Sequence, residues 1–244
     1  MLNIAHRGFS GKYPENTMLA FSKAVEAGAD GIELDIHLSS DGELVIIHDE
    51  LLDRTTNGKG AVADYTCAEL KGFDASAGYA GVYGVNRIPT LREYFELVAP
   101  VSGFITNIEL KTGINVYPGI EEKVSAMIRE FGIADRIIIS SFNHYSVLRA
   151  KKLDPDITCG FLCESWIIDF GAYTEKYGVE CVHPMRQTLT EQTAAEIKAH
   201  GIGINTWTIN TPDEVLRLAE LGVDAVIGNY PDMTKAVIEE ISKK

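Results

Sequence analysis

The chain has 244 residues, 45% of them apolar, and a net charge of −13 from 35 acidic against 22 basic side chains. That length allows one large domain or two small ones, and an α/β barrel of about 250 residues fits as one, with apolar content enough for a sizeable core. The acidity argues against nucleic acid or an anionic membrane surface as the main partner, and it obliges any anionic substrate to find a local positive site.

No charged-then-apolar leader and no apolar run of about 18 residues occurs, so neither a signal peptide nor a membrane span is expected. Cys67, Cys159, Cys163 and Cys181 form no C-x-x-C pair. Cys159 and Cys163 flank an apolar run and read as small core residues in a reducing compartment; a cytoplasmic protein is expected, and with no evident exposed apolar or basic membrane-binding stretch, no stable membrane association.

Residues 2–6 read as a first strand, ending in His6-Arg7-Gly8. Pro14-Glu15-Asn16-Thr17 then starts a helix, with Asn16 a candidate cap. Leu19, Phe21, Ala24, Val25 and Ala27 line one side of it, and Gly28 stops it. The second strand, Gly31-Ile32-Glu33-Leu34-Asp35-Ile36-His37, alternates at period two. Ile32, Leu34 and Ile36 share one face; Glu33 and Asp35 share the other. Carboxylates that close raise each other's free energy unless a cation sits between them. Hard oxygen ligands suit Mg²⁺, Ca²⁺ or Mn²⁺ better than zinc.

Ser39-Ser40-Asp41-Gly42 follows, and Asp-Gly predicts a two-residue hairpin loop. Residues 44–47 return as an antiparallel arm. That register sets Asp35 opposite His48 and Glu33 opposite Glu50, on a shared face.

Residues 50–89 break the alternation. They are rich in Gly, Thr and Asp, with one weak helix signal at 68–71, and read as an insertion able to cover a nearby cavity. Strands are then expected at 104–110, 137–140, 157–162, 181–183, 202–208 and 225–227. Helices alternate with them at 118–131, 145–153, 170–177, 191–200, 212–221 and 233–241. Setting the antiparallel arm aside, eight parallel strands remain, and that count predicts a (β/α)₈ TIM barrel forming one domain over 1–244. A doubly wound open sheet is the alternative, but no Gly-rich phosphate fingerprint accompanies it.

Polar residues collect at the predicted strand ends, where such barrels build their sites. His6 and Arg7 end the first strand, Glu33 and Asp35 lie on the second, and His48 ends its arm. Asn107, Glu109 and Lys111 form an alternating face on the next strand. Ser141, Trp207 and Asn210 close others. Three carboxylates, two histidines, an arginine and a lysine on different strands suit a metal-plus-anion site. The remaining histidines, His37, His144, His183 and His200, lack a carboxylate at strand spacing and read as surface or pocket-wall residues. His183, before Pro184, is the best placed of them to line the mouth. Asp49 is either a partner of the site or the start of the insertion. Phe9, Tyr13 and Trp166 have no feature that separates a site role from ordinary packing.

The sequence resembles the glycerophosphodiester phosphodiesterase family over nearly its whole length. His6-Arg7-Gly8, Pro14-Glu15-Asn16-Thr17, Glu33-Leu34-Asp35, His48-Asp49, Arg54-Thr55-Thr56-Asn57-Gly58, Ile108-Glu109-Leu110-Lys111, Ser141-Phe142 and Trp207-Thr208-Ile209-Asn210 stand in the family's order. One departure is Gly228-Asn229-Tyr230-Pro231, where Asn229 replaces the more usual aspartate and drops a charge. The resemblance implies metal-dependent hydrolysis of glycerophosphodiesters to glycerol 3-phosphate and an alcohol. It implies one divalent cation on Glu33, Asp35 and Glu109, an acid–base pair at His6 and His48, anion contacts from Arg7 and Lys111, and Trp207 against the glycerol. Which histidine is the base stays open, as does direct attack by water against a cyclic phosphate. Two other functions compete: a related phospholipase acting on intact lipid, and a non-catalytic barrel that binds phosphodiesters.

Overall fold

The computed structural model describes residues 1–243. Nine strands form a single sheet. In chain order they are β1 (Leu2–His6), β2 (Gly31–Leu38), β3 (Leu44–Ile46), β4 (Ile105–Leu110), β5 (Ile137–Ser141), β6 (Thr158–Cys163), β7 (Cys181–Pro184), β8 (Gly203–Ile209) and β9 (Ala225–Gly228). Eight are parallel, and β1 pairs with both β9 and β2, which closes the barrel. Only β3 lies outside it, antiparallel to the far end of β2. The TIM barrel predicted from the strand count is therefore present.

The helices are α1 (Met18–Glu26), α2 (Cys67–Leu70), α3 (Leu91–Val98), α4 (Ile120–Phe131), α5 (His144–Leu153), α6 (Phe170–Lys176), α7 (Glu191–Ala199), α8 (Pro212–Glu220) and α9 (Pro231–Ile241); all but α2 sheathe the barrel. None of the described helices is long and apolar enough to cross a membrane. The period-two pattern of the strands explains how two interiors coexist. Ile32, Leu34, Ile36, Ile108, Ile139 and Val182 face outward and pack under the helices in the main core. Ile4, Ala225 and Ile227 face inward as a small separate cluster, with Ile105 and Trp207 against it. Glu33, Asp35, Asn107 and Glu109 continue that inward face toward the C-terminal ends, with Glu33 opposite Asn107 and Asp35 opposite Glu109. Buried side chains of the outer set each contribute roughly 1.5–3 kcal/mol, which leaves the inner face free to carry polar groups.

Three details differ from the sequence reading. The hairpin loop has three residues, not two: Gly42 donates to the Ser39 carbonyl at 2.9 Å, Ser39 donates to Glu43 at 3.0 Å, and Gly42 sits at φ +82°. A turn closed by a left-handed glycine is the other common hairpin solution. It slips the register by one, so Asp35 lies opposite Ile47 rather than His48, as the Ile47 amide donating to the Asp35 carbonyl at 3.1 Å shows. Secondly, Thr17, not Asn16, caps α1, its hydroxyl accepting from the Ala20 amide at 3.2 Å. Thirdly, α3 was not anticipated. Its signal is a capping box in which Thr90 and Glu93 satisfy each other's free amides.

The stretch 50–89 holds its own apolar cluster. Leu52, Val62, Leu70, Ala75 and Ile88 pack with Val45 and Ile47 of the arm. The Tyr83 hydroxyl donates to the Lys12 carbonyl at 3.0 Å, which ties the stretch to the β1–α1 loop. None of its residues lines the central cavity, so it flanks the barrel mouth instead of covering it.

His183 is fully buried inside the barrel, not at its mouth. Its Nε2 lies 3.2 Å from Asn205 Nδ2 and 3.4 Å from Cys181 Sγ. A Cβ at Gly160 would come within 2.4 Å of the same nitrogen, so glycine is required there. Burial alone lowers its pKa from 6.5 to about 3. Below pH 6.5 the unfolded chain takes up a proton that the native chain refuses, so stability falls as pH drops through the window from 6.5 toward 3. Between pH 6.5 and 5 the stability advantage of the wild type over His183→Gln should shrink by about 1.4 kcal/mol per pH unit, read from urea unfolding. Parallel pH curves for the two proteins would contradict this.

Candidate active site

Glu33, Asp35 and Glu109 are buried, and one carboxylate oxygen from each lies within 4.8 Å of the others. They converge because β2 and β4 are parallel neighbours in a register that puts Asp35 level with Glu109. Two cations lean on them. Arg7 Nε lies 3.4 Å from Asp35 Oδ2, while Lys111 Nζ lies 2.8 Å from Glu109 Oε1 and 3.7 Å from Asp35 Oδ1. Asn16, freed from capping, donates its Nδ2 to Asp35 Oδ2 at 2.8 Å.

The three acids do not share this support equally. Burial works against ionising Asp35, but Arg7, Lys111 and the Asn16 hydrogen bond overcome it and hold the carboxyl well below its usual range. Burial, then repulsion from Asp35 and Glu109, push Glu33 well above its usual range. Burial and Asp35 raise Glu109 as well, against the pull of Lys111. With all three ionised, Arg7 and Lys111 leave one negative charge uncompensated. Asp35 Oδ1 and Asn107 Oδ1 are buried with no hydrogen-bond partner. Unsatisfied buried oxygens beside crowded carboxylates cost energy in a low-dielectric site. A hard divalent cation fits this donor set, since it takes oxygen ligands and supplies the missing charge.

Two imidazoles border the acids. His6 is largely buried; its Nδ1 lies 2.7 Å from Asn229 Oδ1, which also accepts from Ser10 Oγ at 3.1 Å. The amide oxygen assigns the proton to Nδ1 and turns Nε2 toward Glu33 Oε2, 3.9 Å away. Burial and the Arg7 charge lower the His6 pKa to about 4. His48 reaches the cavity by a different route from the one expected. The chain leaves the ladder after the bond from Ile47 to Asp35. The His48 carbonyl is met by His37 Nε2 at 3.1 Å, while His37 Nδ1 meets the Tyr117 hydroxyl at 2.9 Å. His37 is thus a buried brace, not a surface residue. His48 Nδ1 lies 2.5 Å from Asp49 Oδ1, and Nε2 lies 3.3 Å from Lys111 Nζ.

A polar chain that sequence reading did not anticipate joins the two sides. Arg54 donates to Asp49 at 2.6 and 2.9 Å and to Glu15 at 2.9 and 2.8 Å. Glu15 also accepts from Arg7 Nη1 at 2.8 Å. Arg54 holds Asp49 ionised against partial burial, its pKa lowered to about 2. The available signal was Arg54 lying close after Asp49 in a loop that the hairpin returns to the site.

A cavity of about 260 Å³ opens at the C-terminal mouth of the barrel. His6, Arg7, Glu33, His48, Glu109 and Lys111 form its charged side. Trp207 lines it too, its Nε1 donating to the His183 carbonyl at 2.8 Å and its ring edge-to-face with Phe142 at 5.7 Å. Leu162 and Glu164 form the far wall, and Ile227 lines the cavity from β9, next to β1. Leu162 and Glu164 continue the inward phase of Gly160 on β6, a pattern readable in the sequence. Other candidates fall elsewhere. Ser141 is buried and donates to the Leu110 carbonyl at 2.7 Å, Asn210 accepts from the Asn229 amide at 3.1 Å, and Phe9 packs in the main core. Tyr13 packs against Phe9, and Trp166 is exposed. His144 stacks on Phe161, and His200 pairs with Glu175 on the surface. A larger cleft of about 340 Å³ lies between residues 165–170 and 184–197, but it has no cationic group in its walls.

Residues 6–233 match the model of the "Glycerophosphoryl diester phosphodiesterase family". A glycerophosphodiester phosphodiesterase of Bacillus altitudinis is 44% identical over 240 residues, covering 98% of each chain. One from Caldanaerobacter subterraneus subsp. tengcongensis is 42% identical over 231 residues, covering 95% of each. Among solved structures, an Oleispira antarctica phosphodiesterase in complex with the product sn-glycerol-3-phosphate superposes with a TM-score of 0.86. It is 33% identical, over 97% of this chain and 96% of that one.

Proposed function

This chain belongs to the glycerophosphoryl diester phosphodiesterase family and is a phosphoric diester hydrolase; on that premise we propose that it cleaves glycerophosphodiesters to glycerol 3-phosphate and an alcohol at the cavity bordered by His6 and His48. One observation carries the reading: three buried carboxylates within 4.8 Å of one another, flanked by two imidazoles and two fixed cations.

Glu33, Asp35 and Glu109 would hold one divalent cation, Mg²⁺, Ca²⁺ or Mn²⁺. Such an ion, when bound, withdraws charge from the non-bridging oxygens of the diester. The chain's own groups do the rest. Arg7 presents a forked donor and Lys111 a point charge to the phosphate. Both are held in place by the acids they neutralise, and those acids raise the pKa of each above its ordinary value against the opposing effect of burial. Their positive charge is therefore constant across the working pH range.

His6 and His48 divide the proton work. One takes the proton of the attacking hydroxyl, and the other gives a proton to the departing alkoxide. His6 is neutral near pH 7, with Nδ1 committed to Asn229 and Nε2 free. His48 is oriented by Asp49 on Nδ1 and offers Nε2 to the cavity. The two imidazoles thus differ in what backs them, a neutral amide behind one and a carboxylate behind the other. Trp207 supplies an apolar face for the glycerol carbons. The whole chain 1–244 acts as one barrel domain in this scheme, and its four unpaired cysteines support a reducing, cytoplasmic setting.

A second reading, cleavage of intact lipid, draws on Tyr145, Trp166 and Ile168, which are exposed on the segments that follow β5 and β6. A single assay separates the two. Purified protein is given glycerophosphocholine or dispersed phosphatidylcholine, with and without a chelator. Glycerol 3-phosphate released from the soluble diester, and lost on chelation, supports the proposal. Release of phosphatidic acid from the lipid supports the second reading, and no product from either substrate removes both.

A further inference from the structure

The cavity is polarised across the barrel axis. His6 ends β1 with Arg7 just after it, Glu33 stands on the adjacent strand β2, and Glu109 and Lys111 stand on or just after β4, the next strand round. Around the closed ring β1, β2, β4, β5, β6, β7, β8, β9, the strand that faces β1 is β6. The continuation of β6 brings Leu162 and Glu164 into the same cavity, and β5 and β8 bring Phe142 and Trp207. An anion-holding side therefore faces a side made of aromatic and aliphatic carbon and one carboxylate. Glu164 is exposed at the rim and forms no hydrogen bond or ion pair among the described residues. Every other acid lining the cavity, Glu33 and Glu109, is buried and engaged by a cation, a histidine or a backbone amide.

A diester whose phosphate lies on the cationic side, with its glycerol carbons against Trp207, must extend its other arm toward Phe142 and Glu164. If that arm carries a positive charge, it meets aromatic surface and an unpaired carboxylate, two features that each attract an ammonium group. A neutral polyol arm gains neither, and an anionic arm is repelled. We propose that Glu164, with Phe142 on the same wall, is a specificity-determining residue that selects diesters whose alcohol bears a quaternary or primary ammonium. This rests on the hydrolytic reading given above and adds the charge of the leaving alcohol to it. The cationic arm is recognised in the ground state and the transition state alike, so the effect lies in KM rather than in kcat. Because the rim is solvated, the gain is modest and screened by salt.

The test compares kcat/KM for glycerophosphocholine and glycerophosphoglycerol in the wild type, Glu164→Gln, Glu164→Lys and Glu220→Gln. Glu220 is exposed at the end of α8 and controls for the loss of one negative charge anywhere on the molecule. The preference for the cationic diester should fall about three- to tenfold in Glu164→Gln and further in Glu164→Lys. It should fall through KM, and it should not change in Glu220→Gln. The difference between wild type and Glu164→Gln should fade at about 0.5 M salt. Hydrolysis of both diesters with the same preference in all four proteins overturns this inference alone. If the wild type hydrolyses neither, the hydrolytic reading falls and this one with it.

Discussion

Alanine at His48 is expected to lower kcat on a soluble glycerophosphodiester by roughly 10²–10⁴-fold, and alanine at His6 to do the same. Each imidazole presents one nitrogen to the cavity and anchors the other on a neighbour, Asn229 or Asp49. Neither packs in the apolar core, so melting temperatures should stay near that of the wild type. The double variant should lose less than the product of the two single losses, since the groups act on one proton inventory. Turnover within threefold of wild type in either single variant would remove that histidine from the chemistry.

Glu33→Gln should separate activity from stability. In the metal-free protein Glu33 is the acid with the least compensation, its carboxyl pushed up by burial and by Asp35 and Glu109. A carboxyl whose folded pKa exceeds its unfolded value stabilises the fold only while protonated. That contribution is complete below the unfolded value of 4.5 and is lost as pH rises above it. Glutamine keeps the shape without the charge. The chelated variant should therefore melt at a higher temperature than chelated wild type at pH 7. The advantage should vanish near pH 4. In excess divalent cation the order should reverse, because the wild type gains binding energy on top of its folding energy. Binding of the cation should weaken at least about 100-fold in the variant, and turnover should fall with it. Equal melting curves for the two chelated proteins would show that the crowding of carboxylates is relieved in some other way.

Much of this was legible because the two interiors of a barrel are written into alternate positions of each strand. Ile32, Leu34 and Ile36 announce the outer core, and Glu33 and Asp35 the inner face. The eight parallel strands follow from pattern and spacing, which also put Glu109 at a strand end; its grouping with that pair rested on the family resemblance. What escaped depended on backbone detail. A left-handed Gly42 adds one residue to the turn and shifts the pairing of the arm, which no hydrophobic pattern resolves over so short a strand. By residue type Asn16 is the better cap than Thr17, and only the fold decides that Asn16 is needed at Asp35. The chain of Arg54, Asp49 and Glu15 links residues up to 39 positions apart through a loop of irregular backbone, where sequence carries no periodic signal. His37 and His183 show the same limit: a buried histidine looks like a surface one until its neighbours are known.

The His6 imidazole is built into the staves of the barrel, but the His48 imidazole is suspended from an appendage steadied by a second imidazole beneath it and by a guanidinium bridging two acidic anchors. Rigidity of the cask and alignment of the proton couple are consequently separate properties. A lesion in the bridging loop can leave a molecule that melts normally and retains its cation cradle, yet idles.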